Sequence, residues 1–415
     1  MNVLVVNAGS SSLKYQLFDT NTEAVRAKGI CERIGIEGSA IEHKQLEKDL
    51  KLAEQRPMKN HAEAMKIVVE KLLDKEYGCV SSMDEIEAVG HRVVHGGAYF
   101  SESMLLTEEV LEKLRLCHDF APLHTPAHIQ GIEGCLSVMP EKPQVLVFDT
   151  AFHQTMKPEA YTYALPYELY RDFGVRRYGA HGTSHRFVAA EMQKILGKVE
   201  GTKIVTCHIG NGSSVSAVKD GKVVDTSMGF TPLAGVEMGT RCGDIDPAIV
   251  PFMMEKLNLT TAEVNDLMNK KSGFLGVTSG YSSDSRDLEK AISEGPSNPH
   301  YEQSNLAINI LMLQLKKYIG AYAAEMNGLD AVVFTAGLGE NNPHLRELVC
   351  ENMEFFGIEL DKELNAKMLR QPNIVKLSTD SSKVAVYLIP TNEELLIARD
   401  TAAIVSHTEI KRTRF

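Results

Sequence analysis

The sequence lacks the devices that staple small or secreted proteins. Its seven cysteines are odd in number, and no two have CxxC spacing. A disulfide framework or a zinc ribbon is therefore not expected, and a reducing cytoplasm is. Basic charge is in deficit: 44 Lys and Arg stand against 55 Asp and Glu, a formal net charge of -11. Nonspecific nucleic-acid binding and adhesion to anionic membranes both need surplus cations, so neither partner is expected. Long apolar runs are missing. The most apolar stretch, 306–326, is broken by Asn309, Gln314 and the Lys316-Lys317 pair, and it reads as a buried helix rather than a bilayer span. The N-terminus enters a strand at once, without a basic flank and apolar core, so no secretory signal is expected. The phosphate-binding pattern GxxxxGK[ST] and a strand-linked GxGxxG are both absent, so a bound nucleotide would need another device for its phosphates.

What is present is ordinary globular material. Hydrophobic residues make up 43% and charged residues 24% of 415 residues, a length that suggests two to three domains and an ample core. Short β-branched runs at 3–6, 86–89, 145–148, 204–207, 215–218, 332–334 and 384–389 predict strands. They alternate with helical patterns at 62–73, 108–116, 184–196, 261–268, 306–326, 343–352 and 394–405. The alternation predicts α/β layers.

An internal repeat sharpens that reading. Val5-Val6-Asn7-Ala8-Gly9-Ser10-Ser11-Ser12 and Cys207-His208-Ile209-Gly210-Asn211-Gly212-Ser213-Ser214 are both strand, tight polar turn, then strand. A second pair follows in the same order: Val145-Leu146-Val147-Phe148-Asp149-Thr150-Ala151 and Val332-Val333-Phe334-Thr335-Ala336-Gly337. Two related α/β domains facing a cleft are expected, with a boundary near 151–158. The alternative is chance recurrence of a common unit.

The residues suited to chemistry cluster at these turns. Asn7 to Ser12 can surround an anion with backbone amides and hydroxyls, because glycine permits the close turn. Strand alternation puts Leu13, Tyr15 and Leu17 on one face and frees Lys14 on the other, within reach of phosphates. Asn7 is a candidate to hold magnesium through water. Alone, this motif is equally a hairpin with a Ser-rich turn; the second copy, His208, Ile209, Gly210, Asn211 and Gly212, favours a phosphate clamp. Gly337-Leu338-Gly339-Glu340-Asn341 lies between a strand and a helix expected from Pro343, where backbone can approach a ligand. Asp284-Ser285-Arg286 reads by default as a surface ion pair. Arg92 and Arg241 sit in glycine-rich segments, and guanidinium groups bind carboxylate or phosphate in a bidentate manner. The alternatives are a surface arginine for Arg92 and a structural pair with Asp244 or Asp246 for Arg241. His181, among small residues, is a candidate donor to a phosphoryl group. His124 and His128, with Thr125-Pro126 between them and no third ligand evident, read as helix-start histidines rather than a metal pair. Asp149 and Glu393 each stand where a strand meets a turn, with hard oxygens suited to magnesium; a first-turn helix acid is the other reading of Glu393.

Taken together, these segments resemble the acetate kinase family. The resemblance runs from Asn7-Ala8-Gly9-Ser10-Ser11-Ser12-Leu13-Lys14 to Pro390-Thr391-Asn392-Glu393-Glu394, effectively the whole chain, through 90–97, Asp149-Thr150-Ala151-Phe152-His153, His181-Gly182-Thr183-Ser184-His185 and 239–247. It implies a duplicated two-domain actin-like ATPase (ribonuclease H-like) α/β fold with an interdomain active-site cleft. The implied division is 1–150 plus about 394–415, and a nucleotide-binding domain over 151–393. The activity it implies is reversible transfer from ATP to acetate, giving ADP and acetyl phosphate, by a cytoplasmic, magnesium-dependent homodimer in which Mn2+ can substitute. Asn7 and Glu393 would position the metal, with Glu394 the neighbouring choice. Lys14, residues 208–212, Asp284, Ser285, Arg286 and residues 337–341 would contact ATP. Arg92 would bind the carboxylate, and Arg92, His181 and Arg241 would stabilise the moving phosphoryl group. Asp149 is the family's catalytic acid. A small carboxylic acid is already ionised at neutral pH, its pKa being roughly 4, so orienting Arg92 or magnesium suits Asp149 better than taking a proton. Val94, Leu123 and Pro232 match the family's acyl pocket, whereas Ala180 stands where the family commonly has Phe. A wider pocket is therefore expected, with propionate or butyrate as the rival acceptors. A nucleotide-switched binding protein and a sugar kinase of the same superfamily are the more distant alternatives.

Overall fold

Five-residue runs with every side chain buried mark an inner strand in each of two sheets: Gln144–Phe148 and Ala331–Thr335. Strands read as continuous apolar runs when both faces are covered, and each of these two lies between flanking layers of helix. The computed structural model describes residues 1–122, 124–369 and 371–407. Leu123 and the end of the expected first domain, 408–415, lie outside the described residues. The chain divides into one unit of Met1–Gln154 with the described chain from Asn392 on, and a second of Thr155–Thr391.

The first unit holds β1 (Asn2–Gly9), β2 (Ser12–Asp19), β3 (Ala24–Glu32), β4 (Ala40–Gln45), β5 (Leu50–Gln55), β6 (Ala88–Val93), β7 (Met104–Leu105) and β8 (Gln144–Phe148). Their order is β5-β4-β3-β2-β1-β6-β8-β7. Strands β1 to β5 form an antiparallel meander, while β1, β6 and β8 run parallel. Helices His61–Leu72 and Thr125–Val138 pack on one another, and the second lies on β1 and β6. Glycines permit its close approach: a Cβ at Gly131 would meet the Ala8 Cβ at 2.5 Å, and one at Gly134 would meet the His61 backbone at 3.1 Å. Helix Glu393–Val405 covers β1, β6 and β8, and Gly90 leaves room for its Thr401 and Ile397.

The second unit holds β9 (Lys203–Ile209), β10 (Ser213–Lys219), β11 (Lys222–Thr226), β12 (Ala331–Thr335), β13 (Val375–Lys376) and β14 (Ala385–Leu388), ordered β11-β10-β9-β12-β14-β13. Strands β9 to β11 are again an antiparallel meander, and β9, β12 and β14 are again parallel. Helix Gly182–Leu196 lies on β9 and β12, and the long helix Tyr301–Glu325 lies on β9 and β10.

The two units thus repeat one topology, β3-β2-β1-β6-β8 against β11-β10-β9-β12-β14. The turn of residues 9–12 matches that of 209–213, as the sequence suggests. The second sequence pairing is corrected. The strand just before Asp149 is β8, fifth in this shared order, whereas Ala331–Thr335 is fourth, so its counterpart is β6, which carries Arg92. Apolar character alone cannot distinguish adjacent parallel strands, because all of them are buried.

Other boundaries move for similar reasons. Helix Tyr301–Glu325 is not buried all round: it buries Ala307, Ile308, Leu311, Leu315, Ile319 and Tyr322 on one face and exposes Leu306 and Leu313. Residues Ala336–Asn341 form a short helix of their own, not a loop leading to Pro343. All seven cysteines are unpaired. Among the described residues, no helix is long and apolar enough to cross a membrane.

One buried group stands apart from this packing. Glu237 is 2% exposed, and both its carboxyl oxygens lack a hydrogen-bond partner among the described residues. Burial pushes its pKa up from 4.5 to about 8. The folded protein therefore keeps a proton there that the unfolded chain has lost, and stability should fall as pH rises from 4.5 towards 8. Glu237→Gln should flatten that slope and raise stability near pH 8 by about 1–4 kcal/mol. Thermal melts of both proteins across this range test it; parallel pH profiles would contradict it.

Candidate active site

In the first unit the polar groups gather where β1, β6 and β8 end. Arg92, on β6, points its guanidinium at Asp149, which follows β8: Nη2 donates to Oδ2 at 2.7 Å and Nε to Oδ1 at 3.4 Å. Glu393 Oε2 lies 3.7 Å from Arg92 Nε. Asp149 is 1% exposed. Burial disfavours the charge of Arg92, but Asp149 and Glu393 more than offset it, and its pKa is raised. Glu393 opens helix Glu393–Val405, capped by the Asn392 side chain. The reading of Glu393 as a first-turn acid holds, and the structure adds that it faces Arg92. Asn7 and Lys14 are register partners across the β1–β2 hairpin, with Leu13, Tyr15 and Leu17 buried and Lys14 exposed as alternation requires. A cavity of about 630 Å³ runs from Asn7, Lys14 and Glu394 over the open face of β2 to β5. Burial, helped by Glu393 and opposed by Arg92 and Lys14, raises the Glu394 pKa.

The second unit has a cavity of about 740 Å³ that gathers three sequence-predicted segments. Gly210 and Asn211 come from the β9–β10 turn, Asp284, Ser285 and Arg286 from the start of helix Ser285–Ser293, and Gly337, Leu338 and Asn341 from the turn after β12. Asp284 caps its helix by accepting from the Arg286 amide at 2.9 Å and also pairs with the exposed Arg286 guanidinium. The expected ion pair exists, and it forms part of the cavity wall. Gly337 has no heavy atom within 4 Å of where a Cβ would stand, so the backbone there is open to a ligand. Ala336 has φ +65°, an uncommon conformation outside glycine, and its amide donates to Glu340 Oε1 at 2.9 Å. Glu340 thus braces the turn. The Gly339 carbonyl accepts from the buried Arg346 at 2.8 Å. Neither Gly339 nor Glu340 lines the cavity.

Beside this cavity lies a histidine cluster. His181, at φ +57°, is the N-cap of helix Gly182–Leu196, and its ring stacks on His208 with centroids 4.1 Å apart. Ser214 Oγ lies 2.8 Å from His181 Nδ1 and 2.7 Å from His185 Nε2. A hydroxyl has a single proton and two lone pairs, so Ser214 can donate to at most one of the two rings while it tethers both. His208 Nδ1 is 2.7 Å from Ser184 Oγ. Arg241 Nη1 donates to the Pro232 carbonyl at 3.1 Å and lies 3.5 Å from where a Cβ on Gly212 would stand. Arg241 makes no ion pair among the described residues. Asp244 instead receives the Gly235 amide and the Tyr318 hydroxyl, and Asp246 caps Ala248, so the expected structural pair is not formed. Burial lowers the Arg241 pKa. Ala180 is buried with Met228 and Met238.

Three side chains that sequence reasoning missed or set aside hold this machinery. Ser214 and His185 orient His181; their signal was the i, i+4 spacing of the two histidines and the repeated serine turn. His128 lies 4% exposed on helix Thr125–Val138, and its Nε2 accepts from the Val94 amide at 3.2 Å. Burial, then Arg92 and His124, push its pKa down to about 3, so it stays neutral and able to accept. A donor–acceptor spacing across 34 residues leaves no trace in a sequence pattern. His128→Leu should leave the Val94 amide buried and unpaired, at a cost of about 1–3 kcal/mol. Denaturant unfolding should show that loss and a smaller one for His128→Gln; equal stability for all three proteins would contradict it.

Among the described residues, no group of three or more His, Cys, Asp or Glu side chains is arranged to hold a metal ion. Asn7, Glu393 and Glu394 offer a sparse set of hard oxygens beside an open cavity. That suits magnesium, which keeps several waters and needs only one or two carboxylates.

Residues 2–399 match the acetokinase family. An acetate kinase of Fusobacterium nucleatum is 56% identical over 401 residues, covering 97% of this chain and 99% of that protein. One of Clostridioides difficile is 54% identical over 406 residues, covering 98% and 100%. Among solved structures, Porphyromonas gingivalis acetate kinase is similar with a TM-score of 0.92 at 46% identity, covering 97% of this chain and 99% of that one. A propionate kinase from Francisella tularensis has a TM-score of 0.88 at 38% identity, with the same coverage. The family match takes in the hairpin with Asn7 and Lys14, both arginine segments, the histidine cluster and the start of the C-terminal helix, and the chain belongs to the acetokinase family.

Proposed function

We propose that this chain transfers the γ-phosphoryl group of ATP to acetate, reversibly, giving ADP and acetyl phosphate. The observation that carries the acceptor assignment is Arg92, a charged guanidinium held by Asp149 and Glu393. A carboxylate acceptor needs such a fork and needs no base. Both Asp149 oxygens receive Arg92 N–H groups, so Asp149 acts by aiming the arginine. A sugar hydroxyl would instead need that carboxylate free to take its proton.

In the forward direction an acetate oxygen attacks the γ-phosphorus in line, and the bond to the bridging oxygen breaks as ADP leaves. Such a transition state is stabilised chiefly by positioning and by positive charge around the equatorial oxygens. Arg92 holds the acceptor and contributes charge. Arg241 and His181 supply the remaining donors, with His181 aimed by Ser214. The cavity of Gly210, Asn211, Asp284, Ser285, Arg286 and Gly337 receives the nucleotide, and Lys14 is assigned to nucleotide binding as well. Asn7 and Glu393 would hold magnesium, with Mn2+ as a substitute; when bound, the ion neutralises phosphate charge. Val94 and Pro232 are assigned to acceptor binding. We read the enzyme as a cytoplasmic homodimer.

Acceptor size is the place where a second reading has support, since Ala180 leaves less bulk beside His181 than an aromatic ring would. Met228 and Met238 fill part of that space, and methionine adapts readily to an inserted group. Acetate remains the favoured acceptor, with propionate accepted as well. Ala180→Phe should lower the propionate-to-acetate ratio of kcat/KM by about 10-fold or more, the worth of a methylene in a shaped pocket. An unchanged ratio would show that Ala180 does not set acceptor size.

The activity itself is tested by offering protein, magnesium and ATP to acetate, propionate or butyrate and trapping the product with hydroxylamine. Acetate-dependent hydroxamate is expected; none from any acid would refute the assignment. Asp149→Asn should raise KM for acetate and lower kcat by about 10- to 100-fold, because a misaimed Arg92 no longer holds the acceptor in line. Unchanged kinetics would remove Asp149 from the mechanism.

A further inference from the structure

Arg92 is aimed by a carboxylate, but Arg241 is not. Its guanidinium donates to the Pro232 carbonyl and the Met238 sulfur and makes no ion pair among the described residues. An arginine side chain has several rotatable bonds, and without a counter-ion its direction depends on the backbone that presents it. That backbone is a closed loop, 235–244. The Asp244 amide donates to the Gly235 carbonyl at 2.8 Å, and the Gly235 amide donates to Asp244 Oδ1 at 2.8 Å, so the two arms are joined at their base. A Cβ at Gly243 would meet the Gly235 carbonyl oxygen at 2.5 Å, so glycine is needed for this approach. The Met238 amide donates to the Arg241 carbonyl at 3.1 Å and closes the turn. Amides of Ser272, Phe274 and Leu275 support the turn from outside through the carbonyls of Thr240, Met238 and Gly239.

Both arms of the loop are tied to one helix face. Gln314 Oε1 accepts from the Glu237 amide at 2.6 Å on the arm before Arg241, and the Tyr318 hydroxyl donates to Asp244 Oδ2 on the arm after it. Gln314 and Tyr318 are four residues apart on helix Tyr301–Glu325, so they lie one above the other on the same face. Glu237 is buried, so without Gln314 its amide would be left unpaired away from water. We propose that Gln314, Tyr318 and Asp244 are positioning residues: one face of helix Tyr301–Glu325 holds the two arms of the loop and so sets where the Arg241 guanidinium meets the transferring phosphoryl group. None of the three lines the nucleotide cavity, so they act through the loop. The proposal rests on the phosphoryl-transfer reading of Arg241 above and adds what aims it.

Steady-state kinetics of acetyl phosphate formation by the full chain test this, with each change made in the wild type and in Arg241→Ala. Gln314→Met removes the acceptor at similar volume, and Asp244→Ala removes both side-chain bonds of an exposed residue. In the wild type each should lower kcat by about 10-fold or more, the scale of a misplaced catalytic group. KM for acetate and for ATP should change by less than about 3-fold, because the lost interaction is made in the transition state. In Arg241→Ala either change should cost less than about 3-fold, because the group they aim is gone. Asp244→Asn keeps an oxygen for the Gly235 amide and an amide group for Tyr318, and should restore most of the kcat lost in Asp244→Ala. Should Gln314→Met unfold in thermal melts, the two Asp244 variants decide alone. Equal losses in both backgrounds, no loss in either, or a loss that falls on KM for ATP would overturn the proposal and leave the role of Arg241 standing. An Arg241→Ala variant as active as the wild type would overturn the reading of Arg241 itself, and this proposal with it.

Discussion

The site depends on a guanidinium that must stay charged while largely removed from water. Arg92 is stabilised by Asp149 at 2.7 Å and Glu393 at 3.7 Å, which more than offset the cost of its burial. Breaking such a group by removing one partner is costly, since it leaves a buried charge uncompensated. Much of the first unit follows from placing these three residues. Arg92 must end a parallel strand, Asp149 must end the next, and Glu393 must open a helix that returns from the far end of the chain. The side chain at Gly90 must be absent for that helix to lie close enough. Fold and site are in this sense one constraint, met by residues 57 and 301 positions away from Arg92.

The second unit meets the same topological requirement with different chemistry. Its β9–β10 hairpin and the turn after β12 stand at the carboxyl ends of parallel strands, as do the β1–β2 hairpin and Arg92 in the first unit. Strand ends of this kind suit binding because the backbone there is no longer committed to the ladder. The duplicated scaffold thus offers equivalent positions twice, and divergence at those positions separates the roles. One copy presents carboxylates and an arginine; the other presents glycines, Asn211 and a capped helix start. The chain exchange reinforces this division: the helix after β8 packs in the second unit and the helix after β14 packs in the first.

Much of this was legible in the sequence, because the informative residues are local. Turns rich in glycine and serine, apolar strands and the alternation that frees Lys14 are short-range signals, and the structure agrees with each. The strands β3 to β5 were not legible. They present one open face with Lys28, Lys44 and Lys51, so they lack the continuous apolar run by which β8 and β12 declare themselves. The start of helix Thr125–Val138 was legible in the helix-start histidines His124 and His128, but its extent was not: Gly131 and Gly134 look like helix breakers, yet they allow close packing. His128 could be placed on that helix but not tied to Val94, since a hydrogen bond between distant segments has no periodicity.

The two arginines show how environment divides one side-chain type into two tasks. Arg92 is committed: the Nε–Nη2 edge of its guanidinium is engaged by Asp149, so its orientation is set before any ligand arrives. Arg241 is half-buried and donates to the Pro232 carbonyl and the Met238 sulfur, with no carboxylate paired to it among the described residues. Burial lowers its pKa for that reason, an electrostatic cost that an approaching anion would relieve. A paired arginine gains little further stabilisation from an anionic ligand, whereas an unpaired one gains the full interaction, strengthened by partial exclusion of water. On the proposed mechanism, preorganising the acceptor would call for the first kind of arginine, and answering charge on the transferring phosphoryl group for the second. The neighbouring aspartates explain how the second kind persists: Asp244 is occupied by Gly235 and Tyr318, and Asp246 by Ala248, so neither is available to Arg241.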